Sequence, residues 1–147
     1  MNIHIMGSRA AGTYHPVVPT LAFQIFDSYP RSAKTVLPNS PLFTVCSYTF
    51  DDIDLDQLLE HYPKTDMDQL ARKHVLFDQV IAQKILADFA MKRADTLDLL
   101  IHCTLGASRS PAVAVALNEI FGLGQIDLKE RYPAYNHFVY RLLKETI

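Results

Sequence analysis

Tryptophan is absent, cysteine occurs twice and glycine five times in 147 residues. So few cysteines exclude a disulfide-built scaffold, and so few glycines exclude collagen-like repeats and glycine-rich linkers. No apolar run reaches the roughly 18 to 20 residues that a spanning helix needs. The opening stretch MNIHIMGSRAAGTYHP lacks the long apolar core of a signal peptide. A cytoplasmic location with no membrane partner is therefore expected, with Cys46 and Cys103 as free thiols. An excess of either charge is missing too. Fourteen Lys and Arg against sixteen Asp and Glu leave a net charge of −2, which provides no basic field for nucleic acid. The six histidines, His4, His15, His61, His74, His102 and His137, show no metal-ligand spacing, so no metal is expected.

What is present suits one globular domain, 1–147. Hydrophobic residues make up 49% of the chain, enough for a single core at this length. Its eight prolines are scattered as turn markers, and there is no internal repeat. Residues 2–6, 21–26 and 98–102 read as strands, as does the run 42–50, which is rich in β-branched and aromatic side chains. Leu76, Phe77, Val80, Ile81, Ile85, Leu86 and Phe89 recur at the spacing of one helix face. A second helix is expected from Arg109 to just before Gly122, a residue type suited to a helix C-terminus, and a third over 135–144. Alternating strands and helices predict an α/β layered domain with a central, mainly parallel sheet of four to five strands flanked by helices. The polar stretch 54–73 is unassigned, an insertion or a lid.

The chemistry concentrates in LLIHCTLGASRSPAVAVAL. A cysteine ends a buried strand, five residues follow, and Arg109 opens a helix. Helix N-termini offer unpaired N–H groups and the positive end of a dipole, so a short loop curling into one makes an anion cradle. Gly106 supplies the positive φ a tight ring needs, and the small residues Ala107 and Ser108 keep it compact. With Thr104 and Leu105 they form the expected phosphate-binding set, completed by the planar fork of Arg109. The same field stabilises a thiolate at Cys103. The Ser110 hydroxyl can donate to that sulfur when it leaves. His102 is expected to orient the loop through hydrogen bonds, and Pro111 is tolerated in the first helical turn.

HCTLGASRS resembles the His-Cys, five residues, Arg-Ser/Thr motif of the protein tyrosine phosphatase superfamily, and its Gly-x-Ser-Arg-Ser ending is most similar to the dual-specificity branch. The resemblance covers about residues 99–117. It implies a cysteine-phosphatase fold, a Cys103 nucleophile, a phosphocysteine intermediate, hydrolysis in two steps and no metal or other cofactor. The implied substrate is a phosphorylated protein or a small phosphomonoester. The cradle residues between Cys103 and Arg109 include no lysine, which argues against highly charged inositol phosphates.

Such chemistry needs a carboxylic acid to protonate the leaving group and later to activate water. Related phosphatases carry it after a core strand preceding the motif, which points to FDDID. Asp52 is the first choice and Asp51 and Asp54 are alternatives. Asp66 and Asp68 lie in the unassigned stretch, Asp78 in a helical pattern, and Asp27 reads as a turn residue. Cys46 reads as a buried strand thiol rather than a redox partner of Cys103. Tyr135, Phe138 and Val139 read as a core-facing helix stripe, with Asn136 a candidate to brace the loop from behind. Two other functions fit the cysteine loop: a phospho-residue-binding module without turnover, and rhodanese or arsenate-reductase thiol chemistry. In the arsenate reductases that resemble low-molecular-weight phosphatases, the loop lies near the N-terminus, whereas here it lies past the middle.

Overall fold

A computed structural model describes residues 1–29 and 34–147. Four strands, β1 (Asn2–Gly7), β2 (Thr20–Phe26), β3 (Phe43–Thr49) and β4 (Asp98–Cys103), form one sheet in the order β1-β4-β2-β3. Every pairing is parallel. The helices are α1 (Ser8–Ala11), α2 (Leu55–His61), α3 (Met67–Lys73), α4 (Gln79–Lys92), α5 (Arg109–Phe121), α6 (Leu128–Arg131) and α7 (His137–Glu145). This is the layered α/β domain the alternation predicts, with four strands, all parallel, among the described residues.

All six residues of β4 are buried, as are the first six of β2. Parallel strands covered on both faces need such continuous apolar runs. From Arg109 to Leu117 every residue of α5 is buried too, so it is a core helix rather than a surface one. Gly122 ends it in the left-handed conformation, at φ 62°, as its residue type predicts. A chain of aromatic rings joins the layers: Phe50 meets Phe77 at 4.7 Å between centroids, and Phe77 meets Phe138 of α7 at 6.5 Å.

Two helix starts differ from expectation, and the unassigned stretch gains its structure. The helix carrying Ile81, Ile85 and Phe89 starts only at Gln79, because Asp78 caps it by accepting from Ile81 N. Leu76 and Phe77 therefore precede it, and Val80 is 72% exposed rather than on the buried face. The stretch 54–73 holds two short helices, each capped by an aspartate: Asp54 on Gln57 N and Asp66 on Gln69 N. The last helix starts at His137, two residues later than its apolar stripe suggests, because the Asn136 side chain caps it through Val139 N.

Candidate active site

Parallel strands bring all their C-terminal ends to one edge, where open α/β sheets bind ligands. Here that edge gathers Ser8 after β1, Asp27 after β2, residues 50–54 after β3 and 104–108 after β4. The order β1-β4-β2-β3 places the cysteine loop between the other three.

The loop wraps its own sulfur. The Gly106 N–H donates to Cys103 Sγ at 3.3 Å and the Ser110 hydroxyl lies 3.2 Å from it. Cys103 is 2% exposed and Ser110 fully buried. From the other side Ser8 pins the loop, donating its N–H to Thr104 O at 3.1 Å. Gly106 is required on two grounds. Its φ is +71°, and a Cβ there would lie 2.5 Å from Met6 C and 2.6 Å from Gly7 N. Gly7 has the reciprocal constraint, since its Cβ would stand 3.0 Å from Thr104 O. Sequence reasoning missed Gly7, although MGS directly after an apolar strand is a signal of close backbone approach. The Leu105 side chain is 83% exposed, and Ala107 is exposed too. What those two residues can offer an anion is backbone.

Arg109 is 4% exposed and held on three sides. Its Nη1 donates to Phe50 O at 2.8 Å and pairs with Asp27 Oδ1 at 2.7 Å. Its Nη2 donates to Thr104 Oγ1 at 3.2 Å, and that hydroxyl donates to Asp27 Oδ2 at 2.8 Å. Asp27, read from sequence as a turn residue, is thus ion-paired to the arginine of the cradle.

The three aspartates of FDDID separate by role. Asp54 caps α2. Asp51 accepts from Ser28 N at 2.9 Å, from the Ser28 hydroxyl and from Val75 N at 2.9 Å, with His74 Nδ1 at 3.5 Å. Burial alone would raise its carboxyl, but the Ser28 and Val75 hydrogen bonds and the His74 charge outweigh that and hold it below the usual range. Asp51 is a clamp tying this loop to two neighbours. Asp52 is exposed and meets the cradle: its Oδ1 accepts from Ser108 Oγ at 2.8 Å and Asn136 Nδ2 at 3.0 Å. Asn136 also donates its N–H to Ser108 O at 3.0 Å, so it braces loop and carboxylate together. Asp66 and Asp78 are helix caps, and Asp68 lies in the first turn of α3.

His102 does not reach the loop as expected. Its Nε2 bonds Gln24 Oε1 at 3.1 Å, and Gln24 Nε2 donates to Ser47 Oγ at 3.1 Å. This polar string runs across β4, β2 and β3 at matched register. Its Nδ1 is buried without a partner, and burial lowers the imidazole to about 4, so the ring is neutral. Cys46 and Cys103 are both free and buried, and Lys92 Nζ donates to Cys46 Sγ at 3.2 Å. Among the described residues no group of His, Cys, Asp and Glu could hold a metal ion, and no helix is long and apolar enough to cross a membrane.

Beside Asp52 and Ser108 opens a cleft of about 580 Å³, walled by Leu58 and Tyr62 from the 54–73 stretch and by Pro133 and Tyr135 opposite. The 54–73 stretch thus forms one wall of this cleft.

No family model matches the chain, and no curated protein matches it. Among solved structures it is similar to the human tyrosine phosphatase-like serine/threonine/tyrosine-interacting protein, at 20% identity over 86% of this chain and 74% of that one, with a TM-score of 0.43. It is also similar to Tk-PTP in its active form, at 18% identity over 100% of this chain and 94% of that one, TM-score 0.43.

Proposed function

We propose that this chain hydrolyses phosphomonoesters through a phosphocysteine intermediate, as a protein tyrosine or dual-specificity phosphatase. The observation that carries the reading is the buried Cys103 sulfur, within 3.3 Å of the Gly106 N–H and 3.2 Å of the Ser110 hydroxyl, at the N-terminus of a helix that opens with Arg109.

In the first step the Cys103 thiolate attacks phosphorus and the P–O bond to the leaving group breaks, with Asp52 giving that oxygen its proton. Loop N–H groups and the Arg109 fork carry the charge on the equatorial oxygens. In the second step water attacks the phosphocysteine, Asp52 takes its proton, and the sulfur departs with a hydrogen bond from Ser110. Inorganic phosphate and the free thiolate result, so atoms and charge balance without a cofactor. Because Asp52 must touch the leaving oxygen, the organic part of the substrate lies on its side of the cradle, by the cleft. A cleft of about 580 Å³ has room for residues flanking a phosphorylated side chain, which supports a phosphoprotein over a small ester.

Hydrolysis of an aryl phosphate by wild type and Cys103→Ser tests the reading. Turnover by the wild type alone supports it; equal inactivity, with phosphopeptide binding retained, makes the chain a binding module instead.

A further inference from the structure

We infer that Asp27 is a positioning residue of the phosphate cradle, gripping Arg109 and Thr104 so that the correct edge of the guanidinium faces the anion. The inference rests on the hydrolase reading above and concerns the same site.

A guanidinium has five N–H donors in a fixed plane. Nη1 donates to Phe50 O at 2.8 Å and lies 2.7 Å from Asp27 Oδ1 in an ion pair. One Nη2 donor goes to Thr104 Oγ1 at 3.2 Å. Nε has no partner among the described residues, and its N–H together with the parallel N–H of Nη2 is the pair that binds two oxygens of a phosphate. Asp27 thus occupies the end of the fork that the substrate does not need. Its second oxygen accepts from the Thr104 hydroxyl at 2.8 Å, closing a ring of three side chains around the cradle's first residue and its last. Arg109 is 4% exposed while the Asp27 side chain is 26% exposed, so the carboxylate grips a buried cation from the solvent side.

A carboxylate near a dianion has two opposed effects, and their signs separate the possibilities. By charge alone, removing Asp27 takes a repulsive group away from the phosphate, which would tighten binding. By positioning, removing it frees the guanidinium to rotate and turns the two-oxygen edge away, which weakens binding.

The test is Asp27→Asn, which keeps the shape and drops the charge, beside Thr104→Val, which breaks the ring from its other side. The readouts are inhibition by inorganic phosphate and by vanadate, and kcat/KM for aryl phosphates with good and poor leaving groups. Thermal melting of both variants confirms folding. We expect Asp27→Asn to lower kcat/KM about 10- to 100-fold, the range for a hydrogen bond to a charged group, and equally for both leaving groups. Phosphate and vanadate should inhibit more weakly, and Thr104→Val should move every readout the same way by less. Tighter or unchanged inhibition with kcat/KM unaltered overturns the role. A loss confined to poor leaving groups overturns it as well, because that is the mark of a proton donor. A wild type that neither turns over aryl phosphate nor is inhibited by vanadate overturns the hydrolase reading itself; an active wild type indifferent to Asp27→Asn overturns only the role of Asp27.

Discussion

Ser108 Oγ donates to Asp52 Oδ1 at 2.8 Å, so a residue of the cysteine loop holds a carboxylate delivered by a different strand, 56 residues away in sequence. Asn136 Nδ2 reaches the same oxygen at 3.0 Å. Both partners bind Oδ1, which leaves Oδ2 without a partner among the described residues. A carboxylic acid in this position, with Oδ2 open, serves the first step as proton donor to the leaving group. Asp52→Asn should therefore slow turnover by about 10²- to 10⁴-fold for poor leaving groups and far less for good ones. Steady-state rates across a series of aryl phosphates check this. A loss independent of leaving group moves the donor role away from Asp52.

Gly106 cannot accept a side chain without moving the loop. Its left-handed conformation disfavours an L-residue by about 1–2 kcal/mol. The added Cβ would also press on Met6 and Gly7 backbone at 2.5 and 2.6 Å, where no flexible side chain can yield. Gly106→Ala is expected to lose vanadate binding and most activity while the sheet remains, because the clash lies at the sheet's edge. Circular dichroism beside vanadate titration separates the two effects.

His102 makes the fold acid-sensitive. Burial holds its folded-state value at about 4 against an ordinary 6.5, so the unfolded chain binds the extra proton first. The stabilisation is complete above about pH 6.5 and declines as the pH falls from there toward about 4, by on the order of 1–3 kcal/mol. Urea midpoints of the wild type should drop over that window. His102→Gln, which removes the titrating group, should show a shallower drop whatever its stability at neutral pH. An equally steep decline in both proteins assigns the acid sensitivity to other groups.

The cysteine loop was legible because its chemistry is local: strand end, glycine, arginine and serine fall within eight residues, Cys103 to Ser110. The layered fold was legible from periodicity, since buried parallel strands and the α5 core helix are continuous apolar runs. The helix starts at Gln79 and His137 were misplaced because apolar periodicity continues through Phe77 and Tyr135, whereas the side-chain caps Asp78 and Asn136 set the boundary. Asp27 was passed over for a different reason. Nothing near it in sequence distinguishes it from a turn aspartate; its meaning comes from the strand order, which sets the end of β2 beside the end of β4. The same holds for Gly7, whose partner Thr104 is 97 residues away. His102 was expected to touch the loop that follows it, yet strand register aims it sideways at Gln24.

The proposed hydrolysis stands on a covalent bond between Cys103 and phosphorus. Its most direct test is denaturing quench of the protein during turnover of an aryl phosphate, followed by peptide mass spectrometry. One phosphoryl group is expected on the peptide containing Cys103. The adduct should accumulate further in Ser110→Ala, which lacks the hydroxyl 3.2 Å from the departing sulfur, and be absent in Cys103→Ser. Turnover without any adduct in Ser110→Ala, or turnover that survives Cys103→Ser, would contradict it.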